Sequence, residues 1–426
     1  MGFCGWNEGS RSLGWQTFRG VSTKGREAVT APIPALAGAR ARLTEDDCRL
    51  EDFLAVVGAT TELGDYPHAG AIERNALVYD GDRLREHLRS PDAREELPAE
   101  LARALLEGPG LVVFRRAFAD TSVVDRVTEA FEALIADQHA AGTAVGDHFA
   151  RPGANDRVWN AAEKLAVRDP AAFAGYYANE IVALAATAWL GPGYQITSQV
   201  NVVNPGGAAQ EPHRDYHLGF LSNRQAGRFP AHVHLLSPAL TLQGAVAHCD
   251  MPVESGPTMY LPHSQKYAPG YLAWRLPEFR DHFARHHVQL PLAKGDAVFF
   301  NPALFHGAGH NRSAGIRRMA NLLQISSAFG RAMESVDRER MSNAVFPELL
   351  RLKASGASPD TLENVIAACA EGYAFPTDLD RDPPVGGLAP LTQADLLRRA
   401  VREEWTPQTL RRRLAAHSER RGAGAV

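Results

Sequence analysis

The chain has 426 residues, 45% of them hydrophobic and 22% charged, with a formal net charge of −4 at pH 7. These values are typical of a globular protein large enough to bury an extensive core. There is no basic block, so no nucleic-acid partner is expected, and the longest apolar stretch has about half the length of a membrane span, so no membrane partner is expected either. Four scattered cysteines without a CxxC pair favour a reducing, cytoplasmic location.

The N-terminal part of the chain divides into two predicted segments. Residues 1–43 are rich in Gly, Ser, Arg and Ala without periodicity, which predicts a flexible N-terminal segment. Residues 44–107 are predicted to form a helical accessory segment, because an acidic turn leads into apolar residues at helical spacing. A short buried strand at 111–114 and helices at 120–135 and 171–190 follow.

From residue 194 the pattern changes from helices to strands and turns. Strands are predicted at 194–203, around 213, and at 231–236, 240–247, 258–261, 288–292, 297–300 and 316–326. About eight strands in about 130 residues are typical of a jelly roll or small barrel. We therefore predict a mainly β core with α-helices, a cupin-like double-stranded β-helix over 108–333, wrapped by N-terminal helices and by a helical C-terminal extension over 334–426.

A candidate metal-binding pattern lies at His213-Arg214-Asp215. In an extended segment residues i and i+2 project from the same face, so this imidazole and this carboxylate could bind one ion. Alone the pattern is weak evidence, because roughly two His-x-Asp/Glu triplets are expected by chance from the composition. Three occur, starting at His213, His248 and His417. Only the first has a matching motif downstream.

That motif is His-Gly-x-Gly-x-Asn-x-Ser-x-x-x-Arg, which runs from His306 to Arg317 and follows a Gly-Asp turn and an apolar strand. Together with His-x-Asp and the Gly-Pro-Thr-x-x-x-Pro-x-Ser stretch from Gly256, it resembles the phytanoyl-CoA dioxygenase family of Fe(II)/2-oxoglutarate oxygenases. The resemblance covers residues 108–330. It implies the jelly-roll fold and an oxygenase activity.

The resemblance implies roles for four residues. His213, Asp215 and His306 would bind Fe(II), and Arg317 would bind the distal carboxylate of 2-oxoglutarate, with O₂ as the co-substrate. The chemistry agrees, since two imidazoles and one carboxylate leave adjacent positions open on ferrous iron. A guanidinium also matches a carboxylate with two parallel hydrogen bonds.

Other residues near the predicted site are assigned less closely. Three are candidates for contacts with 2-oxoglutarate: Gln199, Asn201 and Thr258. For others the sequence leaves substrate contact and simple packing open: Asn155, Trp159, Asn160, Arg214, Tyr216 and His217.

Some positions compete with or depart from the family pattern. His310 competes with His306 for the third ligand position, and we prefer His306 because it directly ends the strand and lies eleven residues before Arg317. His248 is interpreted as structural. Ala308 stands where family members often carry Ser, and 262–265 reads Pro-His-Ser-Gln instead of Pro-Gly-Ser-His. These departures concern cofactor contacts rather than the metal ligands.

The carboxylate at Asp215 favours oxygenation, because related halogenases carry Gly or Ala there. The sequence thus predicts a dioxygenase that hydroxylates or desaturates an unactivated C–H bond of a small molecule, in secondary metabolism, and releases succinate and CO₂. The alternatives are a non-catalytic or sensing jelly-roll protein and a metal-dependent cupin enzyme without 2-oxoglutarate, and Arg317 discriminates between them and the oxygenase. The flanking helices would cap the site or form a homodimer interface.

Overall fold

A computed structural model describes residues 41–143 and 154–422, so most of the predicted segment 1–43 lies outside the described residues. The described strands are β1 (Ala71–Glu73), β2 (Ala76–Asp80), β3 (Leu111–Arg115), β4 (Asn155–Val158), β5 (Gln195–Val203), β6 (Thr241–Ala247), β7 (Met259–Leu261), β8 (Val288–Gln289), β9 (Ala297–Phe300), β10 (Phe305–Gly307) and β11 (Arg318–Ser326). The described α-helices are α1 (Leu50–Val57), α2 (Gly81–His87), α3 (Pro91–Leu106), α4 (Ser122–Ala140), α5 (Ala161–Arg168), α6 (Pro170–Tyr177), α7 (Glu180–Leu190), α8 (Asn223–Ala226), α9 (Ala231–Ala239), α10 (Gly270–Ala273), α11 (Pro277–His286), α12 (Arg338–Ala354), α13 (Pro359–Cys369), α14 (Gln393–Arg402) and α15 (Pro407–Arg421).

Two sheets of unequal size share an apolar interior. The large sheet has the strand order β1-β2-β3-β9-β6-β11-β5-β4, and the small sheet has the order β10-β7-β8. Neighbouring strands are antiparallel except for the parallel pair β2 and β3. Ala245, Val298 and Phe300 of the large sheet pack in one cluster with Tyr260 of the small sheet. This mixed β core with helices is consistent with the predicted jelly roll.

The two faces of the large sheet bury different sets of side chains. Along β11, Met319, Leu323 and Ile325 pack in the cluster that the helices share, whereas Ala320 and Leu322 pack in the interior cluster. Successive residues of a strand point to opposite faces, so the even-numbered residues of β11 face the interior. Only side chains on that face can reach a site between the sheets.

The prediction of a strand at 231–236 is wrong, because Ala231–Ala239 form helix α9. The apolar side chains in this stretch alternate as they would in a strand. However, the buried positions are Ala231, His234 and Ser237, and this spacing of three marks one face of a helix.

The helix predicted at 171–190 is in fact two helices, α6 and α7. Asn179 lies between them, and its side chain accepts hydrogen bonds from the backbone N–H groups of Ile181 and Val182. This is an N-cap, which starts a new helix with its own direction. The apolar residues on both sides of Asn179 hid the break.

Residues 44–107 contain helices α1, α2 and α3 and also strands β1 and β2. Strand β2 pairs in parallel with β3, with Leu77 opposite Val112. Leu77 and Tyr79 are completely buried. The segment is therefore part of the large sheet and not only a helical accessory to it.

The C-terminal extension contains the four helices α12 to α15, with a stretch without helix between Cys369 and Gln393. Arg338 at the start of α12 is buried, and its guanidinium donates hydrogen bonds to the carbonyls of Ala368 (2.9 Å) and Ile196 (2.6 Å). One side chain thus connects α12 with α13 and with strand β5. None of the helices within 41–143 and 154–422 has both the length and the apolar character needed to cross a membrane.

We expect Arg338→Met to lower the free energy of unfolding by about 2–4 kcal/mol, because two buried carbonyls lose their donors. Urea denaturation followed by circular dichroism measures the change. Arg340→Met is the matched control: this side chain is 59% exposed and its ion pair with Glu163 is 3.6 Å long, so the change should stay below about 0.5 kcal/mol. Equal losses in the two variants would show that the buried hydrogen bonds do not hold the extension in place.

Candidate metal centre

Three side chains with metal-ligating atoms converge beside the interior, namely His213, Asp215 and His306. One ligand atom from each lies within 4.8 Å of the others. Nε2 of His213 is 3.7 Å from one carboxylate oxygen of Asp215, and Nε2 of His306 is 3.5 Å from the other. Within the described ranges this is the one cluster of three or more His, Cys, Asp or Glu side chains close enough to hold an ion.

Backbone pairing brings these residues together. His213 and His306 are opposite each other in an antiparallel bridge. The backbone N–H of His213 donates to the carbonyl of His306 (2.9 Å), and the backbone N–H of His306 donates to the carbonyl of His213 (3.1 Å). Opposed residues of an antiparallel pair project to the same side. Asp215 follows two residues later, and its N–H donates to the Pro302 carbonyl (3.1 Å).

The two imidazoles are oriented for ligation through Nε2. Nδ1 of His213 lies 2.9 Å from the Glu211 carbonyl, and Nδ1 of His306 lies 2.9 Å from the Leu304 carbonyl. A carbonyl only accepts, so in the neutral ring Nδ1 carries the proton and Nε2 presents its lone pair to Asp215. Acceptor atoms facing one another in this way are stabilised by a cation between them.

Asp215 remains ionised in spite of its burial. Burial alone would raise the pKa of this carboxyl, but without a metal ion the positive charges of protonated His213 and His306, together with hydrogen bonds from His306 and from Gln243 Nε2, lower the pKa well below its usual range. The site therefore offers two imidazole nitrogens and a full negative charge. This donor set suits a divalent transition metal such as Fe(II).

Arg214, between two of these residues in sequence, points to the opposite side. Its Nη2 donates to the carbonyls of Ser264 (2.6 Å) and Tyr267 (2.9 Å). The guanidinium lies over the rings of Tyr271, 5.1 Å away, and Phe305, 5.3 Å away. Because Phe305 precedes His306, Arg214 fixes both strands that carry the cluster, which is a packing role.

The structure does not bring Arg317 to this site. Its side chain is 48% exposed and pairs with Glu132 (3.0 Å) and Asp156 (3.7 Å) on the helical side of the sheet. The next residue, Arg318, begins β11 with the interior-facing parity and is buried. A shift of one residue along a strand reverses the face to which a side chain points, and this separates the two arginines.

Arg318 is a buried cation without a carboxylate partner among the described residues. The hydrogen bond found for it there is a long one, 3.5 Å from Nη1 to the Gly309 carbonyl. Burial lowers its pKa to about 10, so it keeps its charge near neutral pH. The phenol of Tyr260 lies close to it and is hydrogen-bonded by Thr258. Thr258 and Arg318 thus share one corner of the interior.

Gln199 and Asn201 both face the interior, because residues two positions apart in a strand project to the same side. Across the β5–β11 pair, Asn201 is opposite Ala320 and Gln199 is opposite Leu322. The side-chain oxygen of Gln199 accepts a hydrogen bond from Arg157 (2.8 Å). Asn201 is therefore the nearer of the two to the Arg318 end of the strand.

Two histidines singled out in the sequence lie outside the cluster. His310 does not belong to the group of ligating side chains. His248 is buried on the helical side, where Nδ1 lies 2.8 Å from the Thr128 hydroxyl and Nε2 lies 3.0 Å from the Tyr176 hydroxyl. Burial lowers the pKa of His248 to about 3, so it is a neutral packing residue.

The remaining candidates make contacts around the site. Tyr216 donates to Gln324 on β11, and His217 Nδ1 lies 3.0 Å from the Ser237 hydroxyl. Asn160 N–H donates to Glu334 (2.7 Å). In the loop 262–265, the Gln265 amide donates to the Gly108 carbonyl (2.9 Å) and the Ser264 hydroxyl accepts from Phe305 N–H (2.8 Å). Asn155 and Trp159 lie in and just after β4.

Two interior residues, Arg318 and Gln243, lie outside the sequence motifs that predicted the site. Arg318 stands one position beyond the expected spacing of eleven residues from His306. Gln243 is the one amide side chain in β6, a buried strand whose other polar residue is Thr241. Its polarity in a fully buried run was the signal that could have drawn attention to it.

Comparison with known proteins gives one family and several distant structures. The phytanoyl-CoA dioxygenase (PhyH) family model matches residues 106–319. The chain is similar to the non-heme alpha ketoglutarate dependent epimerase SnoN from nogalamycin biosynthesis, with 21% identity and a TM-score of 0.38 over 56% of this chain and 82% of that chain. It is also similar to EvdMO1, with 20% identity and a TM-score of 0.39 over 54% of this chain and 50% of that chain. The carbocyclase SnoK from nogalamycin biosynthesis has 20% identity and a TM-score of 0.36 over 53% of this chain and 83% of that chain. No curated protein matches the chain.

We expect Arg214→Met to weaken Co(II) binding by the apo-protein by about 10–100-fold, because the strands that carry His213 and His306 lose their common anchor. Isothermal calorimetry measures the affinity. Gly270→Ala should act in the same direction, since a Cβ there would lie 1.9 Å from Arg214 Cζ. Unchanged affinity in both folded variants would refute the anchoring role.

Proposed function

The chain belongs to the phytanoyl-CoA dioxygenase family and is a 2-oxoglutarate-dependent non-haem iron enzyme; from this premise we propose that it oxidises an unactivated C–H bond of a small molecule, by hydroxylation or desaturation, in secondary metabolism. The observation that carries the proposal is the convergence of His213, Asp215 and His306. The carboxylate of Asp215 supports oxygenation rather than halogenation, since it occupies the coordination position on the metal that a halide would need.

We assign the metal to these three side chains. Two neutral imidazoles and one carboxylate form the donor set that non-haem Fe(II) oxygenases use, and they leave positions open for cosubstrates. The outward hydrogen bonds of both imidazoles fix the ligating Nε2 atoms. His306 is 6% exposed, whereas His213 and Asp215 are each 22% exposed. Substrate access is therefore expected from the side of His213 and Asp215.

We assign the distal carboxylate of 2-oxoglutarate to Arg318 instead of Arg317. A buried guanidinium without a counter-charge is costly, and a dicarboxylate ligand would neutralise it. Arg214 is also buried, but its Nη2 donates two short hydrogen bonds and its guanidinium lies over two rings, although its Nε has no partner among the described residues. Thr258, beside Tyr260, is the second candidate contact at this end, and Asn201 is the third.

Bound iron with 2-oxoglutarate supplies the oxidising chemistry, in which O₂ is consumed, 2-oxoglutarate becomes succinate and CO₂, and the substrate C–H bond is oxidised. The protein orients the reactants and excludes water. Asp215 is held by Gln243, and Tyr216 is held by Gln324, so the residues at the open side have fixed positions. A binding protein or a cupin enzyme without 2-oxoglutarate would have no use for the buried Arg318.

The first test is an anaerobic titration of the apo-protein with Fe(II) and then 2-oxoglutarate. We expect the weak visible charge-transfer band that bidentate chelation by 2-oxoglutarate produces. His213→Ala should abolish the band, because one of the three ligands is lost. If iron binds to the wild-type protein and no band forms, the enzyme assignment fails and a cupin function without 2-oxoglutarate takes its place.

The second test compares the two adjacent arginines. Arg318→Ala should weaken 2-oxoglutarate binding by about 10–100-fold, the equivalent of losing a charged hydrogen bond of about 1.5–3 kcal/mol. Arg317→Ala should leave the affinity nearly unchanged, because its partners are Glu132 and Asp156. The readout is the 2-oxoglutarate concentration at half-maximal band intensity. A larger loss of affinity in Arg317→Ala than in Arg318→Ala would show that Arg317 binds the distal carboxylate of 2-oxoglutarate.

A further inference from the structure

Gln243 lies on the interior face of β6, directly behind the metal cluster. It is 4% exposed, and its register partners are Gln324 on β11 and Phe300 on β9. Its Nε2 donates a hydrogen bond to Oδ2 of Asp215. Gln243 is thus the amide that contacts a proposed metal ligand.

This contact determines which way the amide faces. A carboxylate only accepts, so the NH₂ group of Gln243 must point to Asp215 and Oε1 must point away from it. Oε1 is buried, and the described residues provide no donor for it. A buried acceptor that lacks a donor is unfavourable, and native proteins rarely leave one.

The neighbouring Gln324 shows what a satisfied amide looks like in the same place. It stands opposite Gln243 in the adjacent strand and has the same interior parity. Its Oε1 accepts a hydrogen bond from the Tyr216 hydroxyl. The side-chain oxygen of Gln324 therefore has a hydrogen-bond donor from the protein, whereas the side-chain oxygen of Gln243 has none among the described residues.

The position of Oε1 limits what its partner can be. The two heteroatoms of one amide are bonded to the same carbon, and Nε2 is within hydrogen-bonding distance of Asp215, so Oε1 lies within about 5 Å of that carboxylate. A donor bound by Oε1 would therefore lie within about 8 Å of the Asp215 carboxylate, a distance that a substrate bound at the metal can span.

We propose that Gln243 is a positioning residue with two tasks: Nε2 holds the Asp215 carboxylate, and Oε1 accepts a hydrogen bond from a hydroxyl or N–H group of the substrate. The substrate is then an alcohol or an amine-type compound whose donor lies near the carbon that is oxidised. A plain hydrocarbon chain or an ether does not fit. This inference rests on the proposed function of the same site.

The first arm of the test measures the task of Nε2 without any turnover. Gln243→Leu keeps the volume and removes both polar atoms, and we expect it to weaken Co(II) binding by the apo-protein by about 10–100-fold. Gln408→Leu, at an exposed position of helix α15, is the control and should bind Co(II) as the wild-type protein does. Equal affinities of wild type and a folded Gln243→Leu variant would overturn the first task.

The second arm measures the task of Oε1 with defined probes. A panel of cyclic alcohols, sugars and phenols, each paired with its O-methyl ether, is added to the anaerobic protein with Fe(II) and 2-oxoglutarate, and the shift of the visible band is recorded. We expect the alcohols to bind at least about tenfold more tightly than their ethers, because a site built to bind a hydroxyl rejects the analogue that lacks it. Gln243→Leu should abolish this preference.

Gln243→Glu covers the case in which Gln243→Leu does not fold. Two carboxyl groups in contact in a buried site share one proton, which keeps a hydrogen bond to Asp215 and leaves an oxygen of the new side chain as an acceptor, so the preference for alcohols should remain. Equal binding of alcohols and ethers by the wild-type protein, or loss of the preference in Gln243→Glu, would contradict the proposal. If the wild-type protein forms no band with 2-oxoglutarate, the proposed function itself fails, and this outcome is distinct from a normal band with no effect of Gln243.

Discussion

The antiparallel pairing of His213 with His306 is the constraint on which the site depends. Two backbone hydrogen bonds, of 2.9 and 3.1 Å, put residues that are far apart in sequence opposite each other, with both imidazoles on one side. Asp215 joins them because a strand repeats every second residue. Arg214, which must then point the other way, packs between the carbonyls and rings that support both strands. One local pairing thus creates the metal cluster on one side and its anchor on the other.

The same alternation decides the face of every residue on β11. Met319 and Leu323 pack with the helices, while Ala320 and Leu322 face the interior. A cation that contacts a ligand in the interior must stand at an even-numbered position, like Ala320 and Leu322, and Arg318 does. Arg317 has the other parity and pairs with surface carboxylates. The face to which each arginine points depends on the register of β11. The number of residues in the preceding loop does not determine that register.

This explains how far the sequence could predict the fold and the site. The convergence of His213, Asp215 and His306 was predictable because the motif spacing is short and rigid around each ligand. The choice between Arg317 and Arg318 was not, because it depends on where β11 begins after a loop. Gln243 carries no motif, and its role follows only from a contact with Asp215. The helix at Ala231–Ala239 was missed because its apolar residues alternate, while tertiary burial selects a spacing of three.

Charge balance connects the two ends of the proposed site. On the assignment made above, Asp215 contributes one negative charge and Arg318 one positive charge in a largely buried space. Divalent iron alone would leave this space with excess positive charge, and the 2-oxoglutarate dianion alone would leave it with excess negative charge. Together the two ligands bring the sum to zero. Because unbalanced charge is costly away from water, each ligand should favour binding of the other. The opposite charges of Asp215 and Arg318 thus make the metal and the cosubstrate a cooperative pair.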